Sequence, residues 1–351
     1  MAERAPELLA DLTTLRLGGP ARRLVHATTE QALLDAVRGA DRSGTPLLLL
    51  AGGSNLVVSD AGFDGTVVRI ETTGTRVEAL CGGAMVTVAA GEPWDPFVEH
   101  AVARGWVGLE ALSGIPGSVG ATPIQNVGAY GQEVADTLAC VRCWDRRDDV
   151  QRTFAAADCG FGYRTSRFKR DLQRYVVLAV TFQLRIGELS APIRYPELAR
   201  ALDVEVGRRA PMAAVRAAVL SLRARKGMVL DAADPDTWSA GSFFTNPVLD
   251  ADTARLLPPE APRWQQPDGT VKTSAAWLIE HSGFGKGYGN ACAALSGKHT
   301  LALTNRGAAR TEDLLALAAE LQRGVHQRYG LWLVNEPVLV GCELPAPDAF
   351  P

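Results

Sequence analysis

Helical and strand-like apolar patterns alternate along the first 75 residues, which predicts a β/α arrangement. A capping box at Thr28–Gln31 predicts the start of a helix. The side chains expected on the buried face of that helix are Leu33, Leu34 and Val37. Short apolar runs predict strands, which are expected at 47–50, through Val57 and at 67–70.

The middle of the chain combines further strands with two helices. Alternation predicts two strands between residues 76 and 90. Asp95 is expected to cap a helix that has Pro96 at its first position, because proline suits the first turn. The inward side chains of that helix are expected to be Phe97, Ala101 and Val102. Further strands are expected near 138–144 and 176–184.

The last part of the chain begins with a helix that Pro211 opens and that runs towards Lys226, with Val215, Val219 and Leu222 on its inner face. Residues 228–238 are expected to form a connector and a candidate domain boundary. Helical spacing predicts a core helix from Thr311 to Tyr329, ended by Gly330. A final strand at 331–340 is expected to return to the sheet of the first domain.

The composition is that of an ordinary globular protein. The 351 residues are 47% hydrophobic and 21% charged, and this length predicts two or three domains. A net charge of −3 without a basic stripe argues against a dedicated nucleic-acid binder. Two basic clusters, at 164–170 and 223–226, are either solvated faces or contacts to an anionic ligand. No apolar run reaches the roughly 18 residues of a membrane helix, and no signal peptide is expected.

The cysteines and histidines form no metal-binding pattern. The six cysteines are scattered through a long chain, which favours free thiols in the cytoplasm. Cys140 and Cys143 make a Cys-x-x-Cys pair, but their segment has the pattern of a strand, which sends them to opposite faces. No metal site is expected.

A glycine-rich run at 108–134 carries the strongest chemical signal. Five glycines lie within eighteen residues, at Gly114, Gly117, Gly120, Gly128 and Gly131. Glycine lets another group approach the backbone amides closely. Pro116 and Pro123 stiffen this loop, and Gln125 and Asn126 supply polar side chains. These features indicate a bound nucleotide cofactor.

The familiar phosphate-binding motifs do not match this run. The Walker pattern fails because His299 follows Gly297-Lys298, and the dinucleotide fingerprint GxGxxG and the GxSxG elbow are absent. A second glycine loop, AGGSN at 51–55, lies far away in the sequence. Two separate backbone cradles suit a long ligand with a pyrophosphate, such as FAD, held between subdomains.

Motifs along nearly the whole chain resemble the UDP-N-acetylenolpyruvoylglucosamine reductases, the MurB family of flavoenzymes in bacterial peptidoglycan synthesis. The matching segments, in the order of the family, are 14–19, 50–68, 114–134, 161–169, 240–247, 272–280 and 332–341. The segment Ile193–Leu198 also resembles the tyrosine loop of the type I members of this family.

The resemblance implies an α+β fold, in which a FAD-binding PCMH/VAO-type flavin fold of two subdomains is joined to a C-terminal α+β substrate domain. The implied boundaries are 1–75, with a C-terminal strand at 331–345 returning to it, then 76–226 and 227–330. NADPH would reduce a non-covalent FAD. The enzyme would then convert UDP-N-acetyl-3-O-(1-carboxyvinyl)-glucosamine to UDP-N-acetylmuramate. We expect a cytoplasmic monomer that binds the UDP-sugar and NADPH, without nucleic-acid or membrane partners.

Three residues match the catalytic positions of the family. Hydride transfer to the enolpyruvyl group leaves negative charge next to its carboxylate, and Arg164 matches the arginine whose planar fork suits that carboxylate. Glu336 matches a glutamate that helps to stabilise the enol-like intermediate, and its pKa is expected to be raised. Ser242 matches the proton donor, which works only if it is activated or relays a proton from water. As isolated residues they would be an ion-paired surface arginine, a strand-end glutamate and a core hydroxyl.

The binding residues also follow from the resemblance. The cofactor positions in the first loop are Gly52, Gly53, Ser54, Asn55 and Leu56. Those in the second loop are Ser113, Gly114, Ile115, Pro116, Gly117, Gly120, Ala121, Gln125, Asn126, Gly128, Ala129 and Tyr130. The substrate positions are Tyr163, Tyr195, Lys226, Asn246, Trp264 and His299. Tyr195 and Lys226 match positions that reach the diphosphate, and Asn246 matches one near the uridine. Trp264 replaces a tyrosine that is common in type I members, and His299 replaces a glutamine.

Two other functions stay open at this stage. The first is a FAD-dependent oxidase of the same flavin fold that acts on another substrate. Residues 48–59 contain no His or Cys, so a covalent flavin is not expected there. The second is an inactive UDP-sugar-binding module, against which the presence of Arg164, Ser242 and Glu336 argues.

Overall fold

The computed structural model describes residues 7–344, which divide into two compact units. The first unit contains residues 7–20, 53–63 and 230–344, and the second contains 21–52 and 64–229. The chain passes from the second unit to the first between Val229 and Leu230, inside the connector segment 228–238. The three-domain division stays a prediction, and its residues 1–6 and 345 lie outside the described part of the chain.

Helices and strands alternate along both units. Within residues 7–344 the α-helices are α1 (Glu30–Ser43), α2 (Trp94–Ala103), α3 (Arg167–Arg170), α4 (Pro196–Ala201), α5 (Met212–Arg225), α6 (Ala251–Leu256), α7 (Ala275–His281) and α8 (Thr311–Tyr329). Short 3₁₀ turns lie at Leu9–Leu12, Glu110–Leu112, Val119–Ala121, Val134–Asp136, Ala156–Cys159 and Pro235–Thr237. None of the described helices is long and apolar enough to cross a membrane.

The strands of the same residues are mostly short. They are β1 (Ala21–Ala27), β2 (Leu47–Leu50), β3 (Leu56–Val58), β4 (Phe63–Ile70), β5 (Thr75–Leu80), β6 (Gly83–Ala89), β7 (Trp106–Val107), β8 (Gly128–Ala129), β9 (Gln132–Glu133), β10 (Leu138–Asp145), β11 (Val150–Ala155), β12 (Tyr175–Ile186), β13 (Val248–Leu249), β14 (Arg263–Gln265), β15 (Val271–Thr273), β16 (Ala293–Leu295), β17 (Leu303–Asn305) and β18 (Val338–Val340).

A three-stranded sheet in the order β1–β4–β2 opens the second unit, and β2 runs parallel to β4. Helix α1 buries Leu33 and Val37 as predicted, whereas Leu34 is half-buried. The predicted cap at Thr28 is wrong by one residue. Thr29 has the extended backbone of a cap, and its hydroxyl accepts the Ala32 N–H at 3.1 Å.

The larger sheet of the second unit has the order β11–β10–β12–β6–β5, with β7 paired to the end of β12. Its strands confirm those predicted between residues 76 and 90 and near 138–144 and 176–184. The core beside it includes Trp94, Phe97 and Phe182, with ring centroids 5.5–6.0 Å apart. These aromatic contacts fix α2 against β12.

The predicted start of α2 is wrong. The helix begins at Trp94 after Pro93, so Asp95 and Pro96 lie inside its first turn. The Asp95 carboxylate is turned away from the helix amides because it accepts the Gly114 N–H and pairs with Arg216 at 2.7 Å. Phe97 and Ala101 are buried as predicted, and Val98 rather than Val102 completes the buried face.

The predicted helix after Pro211 is confirmed as α5, with Val215, Val219 and Leu222 buried. These side chains share one core cluster with Ile193 and with Leu198 of α4. Because α4 and α5 pack together, the tyrosine-loop segment 193–198 is attached to the helix that ends at Lys226.

The first unit is built around α8, whose predicted bounds are confirmed. Gly330 ends this helix with a φ of 69°, a left-handed conformation that suits glycine. Leu314, Leu321 and Val325 lie in one core cluster with Phe243 and Phe244. This core is the support of the Ser242 segment.

The final predicted strand is wrong over most of its length, because only Val338–Val340 forms strand β18. Leu333 is buried in the core, and its carbonyl accepts a hydrogen bond from the Gln322 side chain. Pro337 has no N–H for a ladder. Strand β18 runs parallel to β3 and does not join the β1–β4–β2 sheet.

A buried ion cluster at the end of β10 predicts acid sensitivity of the second unit. The Asp145 side chain is fully buried and bonds Arg174 at 2.8 Å and Arg152 at 2.9 Å. The Arg174 hydrogen bonds hold the pKa of Asp145 at about 2, below the 3.8 of an ordinary aspartate, against burial, which raises it. The lowered pKa contributes stability above pH 4, and this contribution is lost as the pH falls towards 2.

We therefore expect Asp145→Asn to lower the free energy of unfolding by about 2 kcal/mol at pH 7 and to flatten its fall between pH 4 and 2. Urea unfolding across this pH range measures both effects. Asp35→Asn, on the exposed face of α1, is the control. An unchanged acid limb in Asp145→Asn would show that the cluster does not set the acid sensitivity.

Candidate functional site

The residues predicted to form the site are divided between the two units. The first unit contains Gly53, Ser54, Asn55, Leu56, Ser242, Asn246, Trp264, His299 and Glu336. The second contains Gly52, the positions between Ser113 and Tyr130, Tyr163, Arg164, Tyr195 and Lys226. The structure brings together groups of these residues inside each unit.

The two glycine loops meet within the second unit at Gly52 and Gly117. A Cβ atom on Gly52 would lie only 2.6 Å from the Cα of Gly117. A Cβ on Gly120 would likewise lie 2.5 Å from the Cβ of Ala90. Real Cβ atoms do not approach other atoms so closely, so these glycines are required by packing as well as by any ligand.

Two buried polar groups beside the second loop suit a polar ligand. Of the residues that the structure describes, none bonds Ser118 Oγ or Arg223 Nε. Arg223 is next to the loop, because a Cβ on Gly114 would lie 3.4 Å from its Nε. Burial lowers the pKa of Arg223 to about 10. Buried donors without partners are costly, so this wall fits the phosphate and carbonyl oxygens of FAD.

Arg164 lies in a tight turn that is attached to the second loop. Gly162 and Thr165 close the turn with two backbone hydrogen bonds of 3.1 and 3.3 Å. Arg164 Nη2 donates to the Gly128 carbonyl at 3.1 Å, and Asn126 Nδ2 donates to the Gly162 carbonyl at 3.3 Å. The structure thus places the predicted catalytic arginine beside predicted cofactor residues.

Three residues of this group have a left-handed backbone without being glycine. Their φ angles are 48° at Asn126, 49° at Tyr130 and 53° at Arg164. Such angles are unfavourable for residues with a Cβ and persist where the surroundings impose them. Asn126 is held by Glu133 at 2.7 Å and by the Ala135 N–H. Strain in this loop is consistent with a functional role of its side chains.

A second group of the same unit combines Tyr130, Tyr195, Lys226 and Glu197, and we call it the lysine–glutamate cluster. The rings of Tyr130 and Tyr195 meet edge to face with centroids 5.5 Å apart. Lys226 Nζ lies 5.8 Å from the Tyr130 ring centroid and 2.6 Å from Glu197 Oε2. Burial raises the pKa of Tyr130 to about 12. At neutral pH this tyrosine is therefore an uncharged hydroxyl.

In the first unit, backbone hydrogen bonds place Ser242 near Glu336. The Glu336 N–H donates to the Phe243 carbonyl at 2.8 Å, and the Thr245 N–H donates to the Val334 carbonyl at 2.9 Å. Asn55 of the first glycine loop donates to the Glu336 carbonyl at 3.4 Å. Ser242 Oγ also lies 3.4 Å from His299 Nε2. Two predicted catalytic residues, one cofactor residue and one substrate residue thus meet here.

The remaining substrate positions of the first unit are more dispersed. Asn246 Oδ1 accepts the Ala275 N–H at 3.0 Å, so its carbonyl oxygen is used at the start of α7. Trp264 lies on β14 opposite Lys272 and is 47% exposed. A large exposed aromatic face is consistent with contact to a ligand.

Sequence reasoning missed Glu197 and Glu110. Glu197 directly follows Tyr195-Pro196 in the recognised tyrosine loop, so its position was available, but its partner Lys226 is 29 residues away. Glu110 is completely buried and accepts N–H groups of Gly108 and Ala191, each at 2.7 Å. The single charged residue in the apolar stretch 105–112 was the only signal for it.

Comparison with known proteins gives two family models that match consecutive parts of the chain. A model described as "FAD binding domain" matches residues 21–153. A model described as "UDP-N-acetylenolpyruvoylglucosamine reductase, C-terminal domain" matches residues 234–340.

Curated relatives are similar over most of the chain. A UDP-N-acetylenolpyruvoylglucosamine reductase of Cutibacterium acnes is 58% identical over 340 residues, covering 96% of this chain and 90% of its own length. One of Salinispora arenicola is 59% identical over 346 residues, covering 96% and 95%. The solved structure of the reductase of Thermus caldophilus is 27% identical, with a TM-score of 0.61, and covers 95% of this chain and 97% of that one. The predicted α+β class, with a PCMH/VAO-type flavin fold and a C-terminal substrate domain, is confirmed.

The contact between the glycine loops predicts that Gly52→Ala removes FAD. The added methyl group would force Gly52 and Gly117 apart, and such overpacking costs about 1–3 kcal/mol. We expect the purified variant to retain less than about a tenth of the wild-type FAD, because this change in free energy corresponds to about tenfold in affinity.

The ratio of flavin to protein absorbance measures this loss. Gly39→Ala is the matched control, because no atom lies within 4 Å of a Cβ placed there. Full flavin content in Gly52→Ala would contradict the role assigned to this contact.

Proposed function

Because the chain belongs to the UDP-N-acetylenolpyruvoylglucosamine reductase family, we propose that it uses NADPH and FAD to convert UDP-N-acetyl-3-O-(1-carboxyvinyl)-glucosamine to UDP-N-acetylmuramate for peptidoglycan synthesis. The observation that carries the proposal is the backbone pairing of Phe243 with Glu336, which brings Ser242 and Glu336 close together. A proton donor and an acidic group at one place suit the reduction of an enolpyruvyl ether.

The cofactor is assigned to the two glycine loops. Gly52 and Gly117 give close backbone access, and Ser118 and Arg223 offer buried donors. Bound FAD would accept hydride from NADPH and supply it to the substrate. The loops would orient the flavin and exclude water from it.

Arg164 is assigned to the substrate carboxylate. Its bond to the Gly128 carbonyl and the strained turn at 162–165 fix the direction of the guanidinium group. A guanidinium group held in advance stabilises negative charge that develops beside the carboxylate without further reorganisation. Glu336 is assigned to the same intermediate, where a carboxylic acid would donate a hydrogen bond to the developing enol oxygen.

Ser242 is assigned the delivery of a proton to the carbon next to the carboxylate. A serine hydroxyl is a weak acid, so it needs a neighbour that restores its proton. His299 Nε2 at 3.4 Å is close enough to orient this hydroxyl in the resting protein. The hydride and this proton together complete the reduction of the double bond.

The other substrate contacts are assigned by their place in the family motifs. Lys226 and Tyr195 are proposed to contact the diphosphate, Asn246 the uridine and Trp264 the adjoining part of the substrate. Tyr163 lies beside Arg164 in the same turn, with the guanidinium carbon 5.8 Å from its ring centroid. It is assigned to the acidic end of the substrate.

The proposal predicts that the purified protein is yellow and oxidises NADPH when the enolpyruvyl UDP-sugar is present. Absorbance at 340 nm and mass spectrometry of the UDP-sugar product measure this activity. A yellow protein that leaves this UDP-sugar unchanged would instead favour an oxidase, and a colourless protein that takes up no FAD would contradict both functions.

Ser242→Ala separates the two half-reactions. NADPH should reduce the flavin at nearly the wild-type rate, because that step needs no proton from Ser242. Oxidation by the UDP-sugar should slow by about 10²-fold or more, since a positioned proton donor contributes that much. Stopped-flow absorbance measures both rates. Equal slowing of the two half-reactions would exclude the proton-donor role.

Arg164→Gln should slow the UDP-sugar half-reaction by about 10²–10³-fold, because it removes the positive charge that stabilises the intermediate. Arg170→Gln is the control, since Arg170 is also in this basic cluster but bonds only the exposed Gly160 carbonyl in the described contacts. The measurement is again single-turnover flavin oxidation. Comparable losses in the two variants would show a general effect of charge.

A further inference from the structure

Lys226, the lysine assigned to the substrate diphosphate, already has an anionic partner in the folded chain. Its Nζ lies 2.6 Å from Glu197 Oε2, and the two side chains are 35% and 31% exposed. Lys226 also follows the last residue of α5, where the helix dipole places partial negative charge. Its positive charge is therefore substantially neutralised before any ligand arrives.

Glu197 is held firmly in this position. It lies in the first turn of α4, between Pro196 and the buried Leu198. Leu198 packs with Val215 and Val219 of α5, the helix that ends at Lys226. The carboxylate and the ammonium group are thus presented to each other by two packed helices.

A diphosphate at Lys226 would meet Glu197 as a like charge. Anions that share one ammonium group repel one another, and the repulsion grows with the charge of the second anion. A diphosphate carries more negative charge than one carboxylate, so it can replace Glu197 where a weaker anion cannot. Tyr195, which precedes α4 and contacts Tyr130, is attached to the same displaced carboxylate.

We propose that Glu197 is an internal competitor of the substrate: its carboxylate occupies the Lys226 ammonium group that the diphosphate contacts, so that binding of the UDP-sugar exchanges one ion pair for another. This role rests on the function proposed above. Glu197 is a specificity-determining residue here, because it weakens every anion at Lys226 and leaves only multiply charged phosphates able to bind.

The test is the affinity of UDP for the FAD-loaded protein, measured by calorimetry. Glu197→Gln should bind UDP about two- to fivefold more tightly, the range in equilibrium constant that partly exposed ion pairs provide. Tighter binding is diagnostic, because structural damage would weaken binding. Glu205→Gln, an exposed glutamate beyond α4, is the control and should leave the affinity unchanged.

Lys226→Met supplies the second half of the test, since the gain from Glu197→Gln should vanish in that background. Glu197→Asp, which keeps the charge on a shorter side chain, should fall between wild type and Glu197→Gln. In turnover, Glu197→Gln should lower the KM for the UDP-sugar by a similar factor, with the single-turnover rate at saturation unchanged.

Unchanged or weaker UDP binding in Glu197→Gln overturns the proposal, as does a gain that persists without Lys226. If these outcomes occur while wild type binds UDP and reduces the UDP-sugar, only the role of Glu197 fails. If wild type neither binds UDP nor reduces the UDP-sugar, the proposed function fails with it.

Discussion

The close approach of backbone to backbone at Gly52 and Gly117 is the constraint on which the second unit's site depends. Neither position has room for a methyl group from the other side. This contact joins the end of the small sheet to the loop that also holds Asn126 and Gly128, and through them the Arg164 turn. Cofactor residues and the catalytic arginine are therefore one mechanical assembly, in which a displacement of the glycines is transmitted to the guanidinium group.

The first unit reaches the same result by a different route. Its candidate catalytic side chains are ordered by main-chain pairing between 243–245 and 334–336, laid on a core of phenylalanine and leucine side chains. Main-chain pairing fixes position without using the side chains themselves. Ser242 and Glu336 consequently keep their polar groups available for chemistry, while Phe243 and Phe244 supply the stability.

The sequence was informative where one local rule determines the structure. Helices α5 and α8 and the strands of the larger sheet follow from periodicity, and the end of α8 follows from Gly330. It failed where a distant partner competes with a local rule. Asp95 looks like a helix cap, but Gly114 and Arg216 take its carboxylate. Residues 331–337 look like a strand, but side-chain and loop partners take their carbonyl groups. The motifs identified the site residues, whereas the ion pair of Lys226 with Glu197 needed the packing of α4 on α5.

The left-handed backbone at Asn126, Tyr130 and Arg164 has a consequence for engineering. Each of these residues stores roughly 1 kcal/mol of conformational strain that glycine would relieve. A selection for thermostability alone would thus favour glycine at the positions where the reaction needs an amide, a phenol and a guanidinium group. Heat resistance and turnover would be expected to diverge in such a library, and hardening this enzyme should begin at a distance from these three residues.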